Sequence, residues 1–296
     1  MTKTKCGFVA IMGAPNAGKS TLVNSLVGSK VSIVSHKVQT TRTRVLGIVM
    51  HDQSQIILID TPGVFAPKKR LEKAMVKSAI SSIADADVVA VIIDANLKNF
   101  TEAEQLLDQV LAGGKTPVLI LNKVDLIAKD KLLTVAAQLH KDREIAETFM
   151  ISALQHNGLE QLQAYLAKAV PEGPWLYPED QLSDLPERML AAEITREKIF
   201  LYLHDELPYA ITVETEKWEE FKNGSVKITQ TIYVQRDSQK SIVLGKNGNQ
   251  VKLIGQKARE ELEALLERQV HLFLHVKVKE NWQETPGYYR LMGLEY

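Results

Sequence analysis

"GAPNAGKST", residues 13–21, follows the apolar run "GFVAIM" (7–12) and opens a stretch with helical spacing. Gly13, four residues, then Gly18-Lys19-Ser20 is the phosphate-loop pattern, and a strand before it with a helix after it is the context that pattern needs. Each residue type has a physical task. From Gly13 through Ala14, Pro15, Asn16 and Ala17 to Gly18, the loop can turn its backbone N–H groups inward around phosphate oxygens. The helix that starts near Lys19 and runs on through Thr21 adds a dipole that favours an anion. Lys19 reaches the terminal phosphates, and the Ser20 hydroxyl can ligate Mg2+. A plain glycine turn with an incidental lysine would require neither neighbour.

Outward from this loop, short aliphatic runs alternate with helix-like segments up to about residue 170: "VLGIVM", "IILID", "VVAVIID", "PVLILN" and "FMISA". Continuous apolar runs of this length predict strands buried on both faces, a mostly parallel sheet between helices in an α/β domain over 1–172. The proline-rich stretch "PEGPWLYPEDQLSDLP" (171–186) reads as a boundary, with a linker over 173–186. Beyond it the pattern predicts an α+β domain over 187–296. It begins with a helix carrying Leu190, Ile194 and Leu201 on one face and contains two alternating strands, each with one solvated side. A chain of 296 residues is long enough for two cores.

Thirty-six basic residues balance 36 acidic ones, so no global field argues for nucleic acid or a membrane surface, and any such partner must meet a local patch. The single cysteine, Cys6, excludes an internal disulfide. No secretory or transmembrane segment is apparent, which implies a cytoplasmic location.

A phosphate loop does not choose between ATP and GTP. "NKVD" (122–125), at the carboxyl end of the run "PVLIL", does: Asp125 can accept both donors of guanine, a pair adenine lacks, while Asn122 and the stem of Lys123 brace the loop and cover the base. "SAL" (Ser152, Ala153, Leu154) follows another strand and offers the Ala153 N–H to the guanine oxygen. "DTPG" (Asp60, Thr61, Pro62, Gly63) would hold Mg2+ through water at Asp60 and contact a γ-phosphate with the Gly63 N–H, so that loss of the phosphate releases the chain on its carboxyl side. Within "VQTTRTR" between these motifs, Thr41 is the candidate to complete the magnesium shell, with Thr40 the alternative.

In order and spacing, "GAPNAGKST", "QTTRT", "DTPG", "NKVD" and "SAL" resemble the Ras-like GTPases related to translation factors. The resemblance implies GTP and GDP as ligands and catalytic roles for Lys19, Thr41 and Gly63. Val64 stands where Ras-type proteins carry a water-orienting glutamine, which predicts slow intrinsic hydrolysis. Asn16 matches the asparagine with which potassium-dependent relatives hold K+ beside the phosphates; support of a tight turn is its other reading.

Gly245-Lys246-Asn247-Gly248 precedes a helix whose apolar positions are Val251, Ile254, Ala258, Leu262 and Leu265. A Gly-x-x-Gly loop at a helix start is how KH domains clamp about four nucleotides, though four such residues are more often a turn. From Ser225 to Arg259 the basic residues Lys227, Arg236, Lys240, Lys246, Lys252, Lys257 and Arg259 face one acid, Asp237, and supply the local patch. His271 and His275 read as outward strand residues rather than metal ligands.

The order helix, strand, strand, helix, loop, helix, strand resembles a type II KH domain. Joined to the GTPase pattern in a chain of this length, it resembles the Era family of bacterial GTPases, down to "SQKSIVLGKNG" and the aromatic tail "NWQETPGYYRLMGL". The resemblance implies RNA contacts through Gly245–Gly248, Lys240 and Lys252. It also implies binding near the 3′ end of 16S ribosomal RNA, action on the 30S subunit, and peripheral contact with the cytoplasmic membrane.

Overall fold

The structure, a computed structural model, describes residues 4–203 and 207–296. The chain divides into two units, residues 1–184 with 289–296, and 185–288.

In the first unit, β1 (Lys5–Met12), β2 (Val45–His51), β3 (Ser54–Asp60), β4 (Val88–Asp94), β5 (Val118–Asn122) and β6 (Glu147–Met150) form one sheet in the order β2-β3-β1-β4-β5-β6. All neighbours are parallel except β2, which runs antiparallel to β3. Alternation of side chains across each strand fills both faces. Val9, Ile11, Ala90 and Ile92 meet α1 (Lys19–Val27) and α5 (Leu159–Ala169) on one side. Ala10, Met12, Val89, Val91 and Ile93 meet α2 (Arg70–Asp85), α3 (Thr101–Ala112) and α4 (Lys129–His140) on the other. The parallel arrangement brings the carboxyl ends of β1, β3, β4 and β5 to one edge, with Asp60 level with Ile11 and Asp94 level with Asn122. That edge is where open α/β sheets bind ligands.

The stretch 173–186, expected as a linker, is anchored over most of its length. The buried Gln55 side chain accepts from the backbone N–H of Leu176 (2.9 Å) and Tyr177 (3.0 Å) and donates to the Tyr177 carbonyl (2.8 Å). Ile48 N–H donates to the Leu182 carbonyl, and Leu46 N–H to Asp184 Oδ1, along the outer edge of β2. The division falls after Asp184, and the last eight residues group with the first unit rather than with the second.

In the second unit, α6 (Glu187–Tyr202), β7 (Thr212–Glu220), β8 (Val226–Val234), α7 (Asp237–Leu244), α8 (Asn249–Leu266) and β9 (Val270–Val278) follow the expected order. β8 is central, antiparallel to β7 and parallel to β9. Val226, Ile228, Ile232 and Val234 are fully buried, whereas Phe273, His275 and Lys277 are exposed on the other face. Gln230 shares the buried row, satisfied by Thr195 and Thr215 hydroxyls.

One expected contact differs. Leu201 is 45% exposed, because the buried stripe of α6 runs through Ala191, Ile194, Thr195, Lys198 and Ile199 and leaves Leu190 and Leu201 on its borders.

Candidate functional site

A cleft of about 430 Å3 lies at the carboxyl edge of the first sheet. Pro15, Asn16, Gly18, Lys19, Ser20 and Thr21 line it from the phosphate loop, Thr40, Thr41 and Gly63 from the segments after α1 and β3, and Asn122, Lys123, Asp125, Ser152 and Leu154 from the opposite end. The backbone is held in shapes few residues tolerate: Asn16 (φ 62°), Gly18 (φ 102°) and Lys123 (φ 62°) are all left-handed.

Gly18 has a second reason to be glycine. A Cβ there would sit 2.2 Å from Asn122 Nδ2. Asn122 itself ties three segments together, donating to the Ala17 carbonyl (2.9 Å) and accepting from Ala153 N–H (2.9 Å). The Ala153 amide, expected to face guanine, is therefore spent on Asn122, and the residue is buried.

Lys19 is 6% exposed, and its ammonium donates to the Gly13 and Ala14 carbonyls (3.2 and 2.8 Å). Burial pulls its pKa down to about 8, opposed by the charge of Asp60. Asp60 is fully buried, and burial pushes its carboxyl up against the hydrogen bonds and the lysine charge that favour ionisation. Its Oδ2 accepts from Ser20 (2.7 Å), Ser32 (2.6 Å) and Thr41 (3.4 Å). Ser20 and Thr41 hydroxyls are 2.9 Å apart. Thr40, by contrast, bonds to the Lys37 carbonyl and the Ser35 hydroxyl, so Thr41 alone of the two threonines joins this cluster.

Asp60 Oδ1 is buried with no hydrogen-bond partner among the described residues. Two hydroxyls beside a carboxylate with an orphaned oxygen are a hard-oxygen donor set, which fits Mg2+ and its hydration water. Thr61 and Pro62 are buried, and the Thr61 hydroxyl donates to the Ile11 carbonyl, so this pair anchors the loop rather than lining the cleft. Val64 N–H donates to the Gly13 carbonyl, and its side chain packs against the core.

Three side chains were not legible as functional. Ser32 steadies Asp60, and Asn24 on α1 holds Ser32 through its backbone N–H (2.9 Å) and carbonyl (2.7 Å). Asp94 accepts from Lys123 Nζ at 2.6 Å. Of these only Asp94 carried a signal: a carboxylate closing an aliphatic strand at the ligand edge, like Asp60.

In the second unit, Gly245 (φ 70°, ψ 177°), Asn247 (φ 54°) and Gly248 (φ 75°) form the turn into α8, with Lys246 and Asn247 exposed. A Cβ on Gly245 would lie 2.6 Å from Gln250 Cβ. Lys252 is exposed on the first turn of α8, and Lys240 is half-buried on α7. Two of the seven basic residues are partly neutralised, Lys227 by Glu219 (3.0 Å) and Lys257 by Glu260 (2.8 Å), which leaves the patch weaker than its formal count. His271 and His275 belong to no candidate metal cluster among the described residues, and no helix there is long and apolar enough to cross a membrane.

Residues 8–123 match the model of the "50S ribosome-binding GTPase" family and residues 206–283 that of the KH domain. The chain is 58% identical over 295 residues to the GTPase Era of Brucella suis, covering 100% of this chain and 95% of that protein. It is 56% identical to the GTPase Era of Mesorhizobium japonicum, covering 99% and 94%. Among solved structures, Aquifex aeolicus Era bound to GDP and AlF4− superposes with a TM-score of 0.92 at 40% identity, covering 99% of this chain and 100% of that one. Era in complex with MgGDPNP and nucleotides 1506–1542 of 16S ribosomal RNA matches with the same score, identity and coverage. With a GTPase model matched in one unit and a KH model in the other, and with curated relatives more than half identical along almost the whole chain, the chain belongs to the Era family of GTPases.

Proposed function

We propose that the chain binds GTP with Mg2+ in the cleft, hydrolyses it to GDP and phosphate, and holds the 3′ region of 16S ribosomal RNA through the Gly245–Gly248 loop. It would thereby serve 16S rRNA processing and assembly of the 30S subunit. The observation that carries the nucleotide half is Asp60: a buried carboxylate bonded to Ser20 and Thr41 hydroxyls, with its second oxygen orphaned, at the end of a strand beside the phosphate loop.

The chain's residues divide the work. Lys19 neutralises the terminal phosphates and the Gly63 N–H faces the γ-phosphate; Asp125 reads guanine while Asp94 steadies the Lys123 stem over it. Bound Mg2+, held by Ser20, Thr41 and water on Asp60, would supply charge neutralisation across the β- and γ-phosphates. Val64 offers no group to orient water, so turnover is slow without help. Asn16 supports a role for K+: its amide donates to the His36 carbonyl (2.8 Å) in the segment bordering the cleft, and the same amide carries an oxygen suited to a monovalent cation. The packing of Val64 also favours a second reading, in which the GTPase unit is mainly a docking element on the ribosome. Action in the cytoplasm with peripheral contact at the membrane completes the proposal.

Substituting Asp125→Asn tests the site, with weakened GTP binding and a gain for xanthosine triphosphate expected; an unaltered base preference contradicts it. Sequencing the RNA crosslinked to the full chain with GTP and with GDP tests the RNA half, and recovery of reads away from the 16S 3′ end opposes it. Turnover that stays negligible with RNA and 30S particles present supports the docking reading, and equal turnover in K+ and Na+ buffers removes the potassium role.

A further inference from the structure

We propose that the basic ridge along α2 is a second RNA-contacting surface, distinct from the KH loop, and that the C-terminal residues of the chain cap it in the state described here. The proposal rests on the reading of the chain as an RNA-binding protein. Between residues 68 and 77 the exposed cations Lys68, Lys69, Arg70, Lys73 and Lys77 face one carboxylate, Glu72. Glu72 is committed to the helix start, accepting from the N–H groups of Lys68 and Lys69 (2.6 and 3.0 Å) and from the Gln39 amide. Arg70, Lys73 and Lys77 stand at helical spacings of three and four, so they share one face and form a ridge about 10 Å long.

The groups that cover two of these cations point to the ligand. The Arg70 guanidinium lies 3.4 Å from the centre of the Tyr296 ring, and Lys77 pairs with the Glu295 carboxylate. An aromatic ring under a guanidinium with an anion beside it reproduces the chemistry of a nucleotide, base plane and phosphate together. At Lys77 the cap is weakly held, because the pair with Glu295 is largely exposed (70% and 78%) and exposed pairs add little, while the Tyr296 ring also meets the buried Tyr289 ring at 5.0 Å. A polyanion can displace it. The RNA bound by the related Era spans nucleotides 1506–1542, far more than the roughly four that a Gly-x-x-Gly loop clamps, so a single-stranded phosphate backbone is the occupant the ridge fits.

The test is fluorescence anisotropy of the full chain with a labelled single-stranded RNA of the 16S 3′ sequence, between about 50 and 200 mM KCl. The double variant Lys73→Ala/Lys77→Ala is expected to bind about tenfold more weakly at the low-salt end, with a log–log salt slope shallower by about 1.4, while GTP affinity holds. Glu295→Gln with Tyr296→Ala is expected to tighten RNA binding several-fold. An unchanged slope in the lysine variant, alongside loss of binding in Lys246→Ala, overturns the ridge and leaves the KH reading standing. No RNA binding by the unmodified chain overturns both. Loss of phosphatidylglycerol-vesicle binding in the lysine variant with an unchanged RNA slope assigns the ridge to lipid and overturns the proposal.

Discussion

Lys19 is charged in the unfolded chain up to about pH 10.5, but burial lowers its folded value to about 8. Between those two values the unfolded chain holds more protons, so the nucleotide-free protein is expected to gain stability as pH rises through that window. Nucleotide binding has the opposite sign. Phosphate oxygens favour the ammonium, so above about pH 8 binding takes up a proton and affinity should fall by up to about tenfold per pH unit. Calorimetry near pH 9 in buffers of different ionisation enthalpy should read close to one proton taken up for each nucleotide, and Lys19→Ala should read none. Asp94 has a separable role. Asp94→Asn removes a charge-assisted bond worth about 1.5–3 kcal/mol to the Lys123 ammonium, so GTP and GDP should both bind about tenfold more weakly with turnover at saturation unchanged.

At the scale of elements, Asn122 is the hinge pin of the site. Asn122→Ala would leave the Ala17 carbonyl and the Ala153 N–H, both buried, without their partner, at about 1–3 kcal/mol each. Chemical denaturation should register the loss even without nucleotide, which separates it from Asp125→Asn. The loop into α8 behaves likewise: Gly245 sits where only glycine is comfortable, and Gly245→Val should distort the first turn of α8 and abolish RNA binding while GTP binding persists.

The strands and the phosphate loop could be read from sequence because an aliphatic run of five to seven residues states its own burial, and "GKS" after such a run points to a phosphate without naming the base. Asn122 as a cross-link between the phosphate loop, β5 and the 152–154 loop could not, since its partners lie 105 and 31 residues away and its side chain also suits a turn. Ser32 was hidden for a similar reason: a serine between valine and isoleucine shows nothing of the carboxylate 28 positions later. Leu201 misled because large aliphatics dominate a helical pattern, whereas α6 buries alanine, threonine and the stem of a lysine.

For the whole molecule, two units with separate cores predict separable responses to ligand. In calorimetry of the full chain, GTP with Mg2+ at about a hundred times its dissociation constant should stabilise the transition of the first unit by about 2.7 kcal/mol. RNA should act on the second unit's transition through the Gly245–Gly248 loop, and on the first only as far as the α2 ridge contacts it. The cut between the units was only half visible in sequence. Prolines at 171–186 signalled an interruption of regular structure, but Gln55 reads as one polar residue in a strand, and the backbone groups it captures are some 121 residues on.

That captured segment also acts as a guard rail. β2 is a border strand of its sheet, and a bare border invites foreign strands to add on; the Ile48–Leu182 and Leu46–Asp184 bonds occupy it instead. A fragment ending at residue 172 should therefore self-associate in light scattering at concentrations where one ending at residue 184 stays monomeric, although both retain every residue of the nucleotide cleft.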